Sequence, residues 1–513
     1  MDISYRTVAG FDQLECEAPF TWYWAVEKEA ALEISNVGNK NWICKILFTI
    51  GTPPTIQSRN VDILLNGIKV DSICATQFYE ISIIMLAGER KTLGFFAKDN
   101  LVSIKGDDRN FAFQLFDFRI EVEEEFFLSS GLRKIQMVQI ELLEKAIQIC
   151  DKYNLKYYLI YGSLLGAIRH GGMIPWDDDI DIVMFREDYE KFLVIAEREL
   201  EGGYYLQIPG RGEECFFGGY AKLRNNNTAA LDNKHLFRQC NQGIFIDIFP
   251  LDNLSLNTKK RKKYIKKIKC LQRMMYTKKY GLLSINAMNM FYLIRSKIYS
   301  EKILWGKFQR VFGEINKENS PIVAILSRYI NDKDLCFYMR EDFGEGIRVP
   351  FENLVVQAPI NYIKLLKEYI GETYMQFPSD EERKPHHRAW WSTQMSYNEI
   401  RDKLFIPKRS DKRPVIIYGI GKKIPKFIKQ FKGQIECIID EKTELQGKLY
   451  KNVLVFPFEW IKSYSHNIPI IICADDFLIA QNKLDREGYY NYKFYFDKFD
   501  SIMFGSINYD KVQ

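Results

Sequence analysis

The chain has 513 residues, 47% of them hydrophobic and 27% charged, a composition typical of folded globular proteins rather than disordered or fibrous ones. This length exceeds one ordinary hydrophobic core and predicts two to four domains. The start lacks a secretory pattern, no apolar run approaches the ~20 residues of a membrane span, and none of the ten cysteines has C-x-x-C spacing. We therefore expect a cytoplasmic protein without a cysteine zinc site.

Residues 1–125 predict an all-β domain. Asn66-Gly67 lies between two apolar runs, which is a strong signal for a two-residue hairpin. Trp22 and Trp24 fit either a sugar-binding surface or a core, and the core is the more frequent role. Seven short runs rich in β-branched and aromatic residues favour a β-sandwich: Phe20–Val26, Ala31–Ile34, Trp42–Thr49, Val61–Leu65, Ile81–Leu86, Leu93–Phe96 and Phe111–Val122.

Residues 130–400 predict a second, α/β domain. A helix from Leu132 to Tyr153 is indicated by apolar residues spaced three and four apart. Two short strands follow, Lys156–Tyr161 and Ile180–Met184, separated by a glycine turn and a loop. Strand, turn, loop and strand within thirty residues are typical of a catalytic α/β domain.

Residues 253–317 of this domain predict long basic helices. Eleven positive charges and no negative one lie between Lys259 and Lys279, with apolar residues at helical spacing among them. Such a helix could lie on an anionic membrane face, contact nucleic acid, or form a solvated face balanced by acids elsewhere.

After a linker at Arg401–Arg413, residues 412–513 predict a small Rossmann-like domain. Pro414–Tyr418 reads as a strand, Gly419-Ile420-Gly421 as a glycine turn and Ile424–Phe431 as a helix. Asp440 stands at the distance of a ribose-binding acid, but the third glycine of G-x-G-x-x-G is replaced by Ile424. A structural or acceptor-recognition role therefore competes with nucleotide binding.

The strongest chemical signal lies between Tyr161 and Asp181. A strand ending in Gly162-Ser163 lets backbone N–H groups and a hydroxyl approach a phosphate. Asp179 and Asp181, two apart on a strand, would share one face, and Asp247 in a later apolar strand would join them. Clustered carboxylates need a cation, and oxygen ligands select Mg²⁺ or Mn²⁺. A solvated acidic loop and a simple turn would explain each motif alone, but not their coincidence.

The run containing Gly162-Ser163-Leu164-Leu165-Gly166 and Pro175-Trp176-Asp177-Asp178-Asp179-Ile180-Asp181 resembles the LicD family signature. The LicD family is a branch of the DNA polymerase β-like nucleotidyltransferase superfamily that includes fukutin-related protein. Further matches at Lys222–Asn225, Phe245–Asp252 and Val349–His387 extend the resemblance over roughly Leu132–Trp391. It implies a nucleotidyltransferase-like α+β domain with a helical extension, flanked here by the β-sandwich and the Rossmann-like domain.

The resemblance also implies roles for individual residues. Asp179 and Asp181 are expected to bind the metal, with Asp177 as a further ligand and Asp247 as the third catalytic acid. The expected donor-binding residues are Gly162, Ser163, Arg169, His170, Lys222 and Arg224, of which Arg169 and His170 either contact phosphate or support the metal loop. The adjacent His386 and His387 are weaker candidates, as are Gly419, Gly421 and Asp440.

The expected reaction is transfer of a phospho-alcohol such as phosphocholine from a CDP-alcohol to a cell-envelope glycan or lipid-linked glycan, with release of CMP. The basic helices then predict peripheral contact with the anionic inner membrane face, and nucleic acid is not expected. Two alternatives use the same residues differently: transfer of the nucleotide itself, which would release pyrophosphate, and a non-catalytic glycan-binding scaffold.

Overall fold

A computed structural model describes residues 2–17, 20–127, 129–211, 218–231, 238–280, 287–327, 335–387, 390–405, 407–408, 410–463, 467–474 and 477–495. These residues form two compact units. The first contains the described residues up to 211, 218–224 and 245–386, and the second contains 225–231, 238–244 and those from 387 onward. The predicted domain 1–125 and most of the predicted domain 130–400 thus share one unit, whereas residues 225–231, 238–244 and the described part of 387–400 belong with the C-terminal part.

The N-terminal strands form two five-stranded antiparallel sheets and one short ribbon. The sheet orders are β1-β4-β9-β6-β7 and β2-β3-β12-β5-β8, and β10 pairs with β11. The strands are β1 (Ile3–Ala9), β2 (Phe11–Glu17), β3 (Phe20–Ala25), β4 (Glu29–Asn36), β5 (Trp42–Gly51), β6 (Asn60–Leu65), β7 (Ile68–Cys74), β8 (Phe78–Met85), β9 (Arg90–Ala97), β10 (Val102–Ser103), β11 (Asn110–Phe111) and β12 (Phe113–Glu125).

The two sheets pack face to face, because alternate residues of strands such as β6 and β9 are apolar and buried. Phe48 of one sheet and Phe95 of the other lie with ring centroids 5.4 Å apart. The predicted hairpin is confirmed: Leu65 pairs with Ile68 across Asn66-Gly67, and both turn residues have the positive φ that this loop requires. Trp24 is buried against Phe111, which confirms the core interpretation for this tryptophan.

The central region alternates helices and strands. Its elements are α1 (Ser130–Tyr153), β13 (Tyr158–Leu159), α2 (Tyr161–His170), β14 (Asp181–Phe185), α3 (Arg186–Glu199), β15 (Tyr204–Gln207), β16 (Ala221–Asn225), β17 (Ala229–Leu231), β18 (Ile244–Asn253), α4 (Thr258–Tyr280), α5 (Ala287–Ile298), α6 (Glu301–Ile315), β19 (Ile322–Ala324), β20 (Tyr338–Met339), α7 (Arg340–Phe343), β21 (Ile347–Phe351), β22 (Leu354–Ala358) and α8 (Tyr362–Tyr369).

The central sheet has the order β13-β14-β18-β16-β15, with β19 and β20 extending from β18. The helix predicted from Leu132 is confirmed as α1, which begins at a Ser129 cap and ends at Asn154 in the left-handed region. One prediction needs correction. Gly162-Ser163 is not a free turn after a long strand but the first turn of α2, which begins directly after the two-residue strand β13.

The sandwich and the central region share one apolar core. Phe95 of the sandwich and Ile168 of α2 belong to the same buried cluster. Backbone hydrogen bonding continues across the contact, since the Ser82 N–H donates to the Met375 carbonyl at 3.0 Å. The sandwich is therefore part of the structure that holds α2 in place.

The basic helix α4 buries its apolar face inside the protein. Ile268 and Met275 are completely buried in a cluster that also contains Leu304 and Phe308 of α6. Lys267 lies 3.6 Å from Glu314, and Lys260 lies 3.5 Å from Glu318. The predicted helical segment is confirmed, and α4 combines a packed apolar face with a basic face that is balanced in part by acids of α6 and of the turn after it. Among the described residues, no helix has both the length and the apolarity needed to span a bilayer.

The second unit is built on a seven-stranded sheet of order β24-β30-β29-β25-β26-β28-β27. All neighbours pair in parallel except β27 and β28. Besides β17, which pairs with β23, its elements are β23 (Trp390–Ser392), α9 (Tyr397–Asp402), β24 (Leu404–Phe405), β25 (Val415–Tyr418), α10 (Ile424–Gln430), β26 (Ile435–Ile439), β27 (Leu449–Tyr450), β28 (Val453–Phe456), β29 (Ile470–Ile472), α11 (Phe477–Arg486) and β30 (Tyr492–Tyr495), with 3₁₀ turns at Thr443–Leu445 and Phe458–Ser463.

Candidate active site

Two acidic residues lie side by side where β14 and β18 run parallel. Asp181 is the first residue of β14 and pairs in register with Asp247 of β18. The Asp247 N–H also donates to the carbonyl of Ile180 at 2.8 Å, so the ladder continues up to the preceding acidic segment. Because equivalent positions on parallel neighbours point to the same face, the two carboxylates share one side of the sheet.

The first turn of α2 packs directly against this acidic segment. The Ser163 hydroxyl accepts the Asp181 N–H at 2.8 Å. A Cβ at Gly162 would stand 2.6 Å from the Asp177 carboxylate, closer than two atoms can pack, so glycine is required for this approach. Tyr161 before it has a φ of 54°, an unusual conformation for an aromatic residue and one that is concentrated at functional sites.

Asp177, Asp178 and Asp179 converge immediately before β14. Each offers a carboxylate oxygen, and these oxygens lie within 4.8 Å of one another. Asp177 and Asp178 are buried, which excludes a solvated acidic loop. Burial, together with the negative charges of Asp179 and Asp178, holds the pKa of Asp177 well above its usual range.

This cluster adds Asp178 to the candidate ligands, while metal binding by Asp179 and Asp181 stays a prediction. Asp179 lies before β14 rather than on it, so the two-residue strand period does not relate it to Asp181. Among the described residues, the convergent oxygens belong to Asp177, Asp178 and Asp179, while Asp181 is paired in register with Asp247. Sequence analysis did not name Asp178 as a ligand.

Two glutamines of α1 hold the acidic segment in place. The Gln136 side-chain amide donates to the carbonyls of Ile174 and Asp177 at 3.1 and 2.9 Å. The Gln139 amide donates to the Asp178 carbonyl at 2.7 Å. Sequence analysis missed both, although polar residues three apart on the buried face of an apolar helix were a readable signal.

Arg169 and His170 sit behind the acidic segment. The Arg169 guanidinium is buried and donates to the carbonyls of Tyr374 and Gln376, both at 2.9 Å. It also donates to the His170 imidazole at 3.1 Å, and its centre lies 4.9 Å from the Phe377 ring. Burial lowers the pKa of Arg169 to about 9. These contacts tie Arg169 to the segment Tyr374–Phe377, and both anticipated roles, phosphate contact and support of the metal loop, stay predictions.

Lys222 and Arg224 extend the site along β16. Lys222 forms an ion pair with Asp247 in which both side chains are about nine-tenths buried. Burial lowers the Lys222 pKa, and the neighbouring carboxylate opposes that shift. Arg224 donates through Nε to the Gln207 side chain at 2.8 Å, and both cations lie over the Phe245 ring. The site therefore combines adjacent acidic and basic groups.

The weaker candidates have other surroundings. The backbone N–H of His386 donates to the Asp178 carboxylate at 3.0 Å, while its side chain is exposed. His387 belongs to the second unit, with its ring 6.3 Å from that of Trp391. In the same unit the Asp440 carboxylate accepts the backbone N–H groups of Ile420 and Lys442. Asp440 therefore stabilises the glycine turn around Gly419 and Gly421 through hydrogen bonds.

The ligand chemistry of the acidic segment fits a hard divalent cation. The convergent groups in this part of the described chain are carboxylates, and oxygen-only sites select Mg²⁺ or Mn²⁺ over softer metals. Three close carboxylates repel one another unless a cation lies among them. The residues present therefore suit the metal that the motif implies.

Residues 154–280 match the family described as LicD/FKTN/FKRP, nucleotidyltransferase domain. The matched stretch contains α2, the acidic segment, β14, β16 and β18. The central domain belongs to the LicD family. The chain is similar to the lipopolysaccharide cholinephosphotransferase LicD of Haemophilus influenzae, with 29% identity over 261 residues, or 50% of this chain and 96% of that protein. The chain is thus a phosphotransferase with a LicD domain.

Other similarities are shorter. The ribitol 5-phosphate transferase FKRP of Homo sapiens is 42% identical over 48 residues, which cover 9% of this chain and only 10% of FKRP. Among solved structures, a family 35 carbohydrate-binding module from Paenibacillus barcinonensis is 16% identical and covers 24% of this chain and 90% of its own, with a TM-score of 0.14. At that score the likeness carries no argument about the flanking domains.

Proposed function

We propose that this phosphotransferase moves a phospho-alcohol, such as phosphocholine, from a CDP-alcohol to a hydroxyl of a cell-envelope glycan and releases CMP. The observation that carries the proposal is the pairing of Asp181 with Asp247 beside the Asp177–Asp179 cluster, because phosphoryl transfer depends on positioning and charge neutralisation. The H. influenzae cholinephosphotransferase, by its name, acts on lipopolysaccharide, and FKRP transfers ribitol 5-phosphate.

In this proposal each group has a separate task. Bound Mg²⁺ or Mn²⁺ would be held by the carboxylates of the Asp177–Asp179 cluster, with Asp181 as a further ligand beside it, and would neutralise the phosphoryl charge. Lys222 orients Asp247 through their ion pair, and the Asp247 carboxylate would act on the acceptor hydroxyl. Arg224, fixed by Gln207, is placed to receive a phosphate oxygen of the donor, for which a guanidinium fork is well suited.

Purified full-length protein incubated with CDP-choline, CDP-glycerol and CDP-ribitol, a soluble glycan acceptor and Mg²⁺ tests the proposal. We expect acceptor-dependent CMP release with one donor and its loss on chelation with EDTA. Pyrophosphate in place of CMP would establish the nucleotidyltransferase alternative. If neither product forms while labelled glycan still binds, the chain is a scaffold and the proposed reaction is wrong.

Lys222 and Arg224 give a second test. Arg224→Lys exchanges a planar fork for a point charge, so the apparent donor affinity should fall while the acceptor dependence changes little. Gln207→Ala is the matched control, because it removes the hydrogen-bond acceptor of Arg224 and leaves the guanidinium charge in place. An unchanged donor dependence in both Arg224→Lys and Lys222→Ala would remove these residues from the donor site.

For the C-terminal unit we propose a Rossmann-like fold with a structural or acceptor-recognition role. Five of its strands follow the order fifth, fourth, first, second, third along the parallel sheet, the arrangement of doubly wound nucleotide-binding folds. The hydrogen bonds of Asp440 to the backbone of the glycine turn favour a structural role over ribose binding. A thermal shift on addition of NAD or ATP that disappears in Asp440→Ala would contradict this assignment.

A further inference from the structure

Helix α5 exposes a line of large apolar side chains. Met290, Ile294 and Ile298 are spaced four apart and follow one side of the helix, and Phe291 lies about 100° around the axis from Met290. Ile294 is 59% exposed, Ile298 is 68% exposed and Phe291 is 50% exposed. Single exposed apolar residues are ordinary, but a contiguous ridge usually marks a binding surface.

The opposite side of α5 is firmly attached to the protein. Ser296 is 1% exposed, and its backbone carbonyl accepts a hydrogen bond from Lys278 of α4 at 3.0 Å. Tyr292 packs against the apolar cluster shared by α4 and α6. Because this side is already used for packing, the ridge of Phe291, Ile294 and Ile298 is an additional apolar face.

Basic residues border the ridge on both sides. Arg295 and Lys297 are exposed on the flanks of α5, and the Arg295 guanidinium lies 5.2 Å from the Phe291 ring centre. On α4, Lys262, Lys263 and Lys266 are also exposed. No Asp or Glu occurs anywhere in the sequence from 253 to 300. An apolar strip with cationic margins is the pattern of a helix that lies in the headgroup layer of an anionic bilayer.

We propose that α5 is a membrane-docking helix that inserts Phe291, Ile294 and Ile298 among the headgroups of an anionic bilayer. The apolar face of α4 is buried inside the protein and is not available for insertion into a bilayer. The proposal therefore assigns membrane insertion to α5 instead. Charge decides against a second copy of the chain as the occupant. A twofold contact would set Arg295 and Lys297 of both copies against each other, whereas anionic lipid complements them.

This docking is independent of the proposed transfer chemistry. Asp247 and Asn253 lie six residues apart on β18, a separation of about 20 Å in an extended strand, and the helical extension follows Asn253. Changes at Ile294 and Ile298 should therefore leave CMP release toward a soluble acceptor unaltered. Vesicle binding and CMP release are separate assays, so a failure of docking can be distinguished from a failure of the proposed reaction.

The experiment is co-sedimentation of the full chain with phosphatidylcholine vesicles, with or without phosphatidylglycerol, at low and high salt. We expect binding only to the anionic vesicles, and a loss at high salt because screening shortens the reach of the charges. The double variant Ile294→Gln/Ile298→Gln should bind roughly tenfold less to the anionic vesicles, since it removes the apolar area that would be buried in the bilayer but removes no charge. The matched control, Val355→Gln/Ile360→Gln, changes two exposed apolar residues outside α5 and should bind like the parent.

Insertion has its own readout. A tryptophan placed at position 298 should shift its emission to shorter wavelength and be quenched by brominated lipid. The proposal is overturned if the parent stays in the supernatant with anionic vesicles at low salt, or if the Ile294/Ile298 double variant binds as well as the parent. It is equally overturned if that double variant converts a dimer into a monomer, or if duplex DNA competes the protein off the vesicles while the apolar substitutions have no effect.

Discussion

Asp181 and Asp247 stand opposite each other on adjacent parallel strands, 66 positions apart in the chain and in register in the sheet. A parallel pair requires a crossover between its strands, and here the crossover contains β15 and β16, including Lys222. The same chain path thus brings in the cation that pairs with Asp247. Catalysis by this domain should depend on all three residues, but for different reasons.

Asp181→Asn and Asp247→Asn should each lower turnover by about 10³-fold or more, because a neutral amide neither holds a cation nor stabilises phosphoryl charge. The measurement is CMP release over a Mg²⁺ series, with a thermal melt to show that the fold is kept. Glu381→Gln is the control, since that exposed acid lies outside the site. Turnover close to that of the parent in both aspartate variants would rule out the assignment.

Lys222→Met should destabilise the fold by about 3–5 kcal/mol, because it leaves the Asp247 carboxylate buried without a partner. Adding Asp247→Asn to this variant should restore part of the stability although a second polar group is changed. Urea unfolding of the single and double variants measures this coupling. Additive losses would mean that the ion pair contributes little to the fold.

Gly162→Ala should weaken activation by Mg²⁺, because the new Cβ would stand 2.6 Å from the Asp177 carboxylate and displace it. Gly306→Ala in α6 is the control, since its Cβ would meet no atom within 4 Å, and it should raise stability by up to about 1 kcal/mol. If Gly162→Ala and Gly306→Ala require the same Mg²⁺ concentration for activity, the close approach of Gly162 to Asp177 does not contribute to Mg²⁺ activation.

Ser82→Ala should lower the apparent Mg²⁺ affinity although Ser82 lies in the sandwich. Its hydroxyl accepts the Phe377 N–H at 3.0 Å, and Phe377 packs on His170 and Trp176, next to Asp177. The expected stability loss is about 1 kcal/mol. Ser72→Ala, which breaks a hydrogen bond within the sandwich, should reduce stability similarly without changing the Mg²⁺ dependence. An equal change of the apparent Mg²⁺ affinity in Ser82→Ala and Ser72→Ala would contradict a specific connection from Ser82 through Phe377 to the acidic segment.

Acidification should destabilise the protein through His170. Burial, with Arg169 and Lys91 nearby, lowers the pKa of His170 well below 6.5, so the unfolded state takes up the proton first. Stability from this group is complete above about pH 6.5 and is lost as pH falls, by at most about 1.4 kcal/mol per pH unit. Urea unfolding between pH 7.5 and 5.5 should show a smaller loss for His170→Asn than for the parent. If the free energy of unfolding falls equally with pH in the parent and in His170→Asn, His170 is not the group that causes the loss.

Most individual elements could be predicted locally. The hairpin at Asn66-Gly67 follows from turn chemistry, and α1 follows from apolar spacing and its Ser129 cap. The Asp177–Asp181 segment could be identified because so many carboxylates within five residues conflict with the apolar strands around them. The positions of Gln136 and Gln139 on a buried helix face were a readable signal, but the hydrogen-bond partners of these glutamines and of Arg169 could not be predicted, since each partner is a backbone carbonyl that lies elsewhere in the chain.

By itself, the sequence determined where the candidate acidic segment lies and indicated many of the strands, helices and turns, because those properties arise from neighbours within a few positions. Only the tertiary structure decided that Asp181 pairs with Asp247, that Asp178 joins the carboxylate cluster, and that the sandwich shares its core with α2. It also decided that α4 buries its apolar face while α5 exposes Ile294 and Ile298. The physical reason is that periodicity defines a face of an element, whereas burial of that face depends on what packs against it.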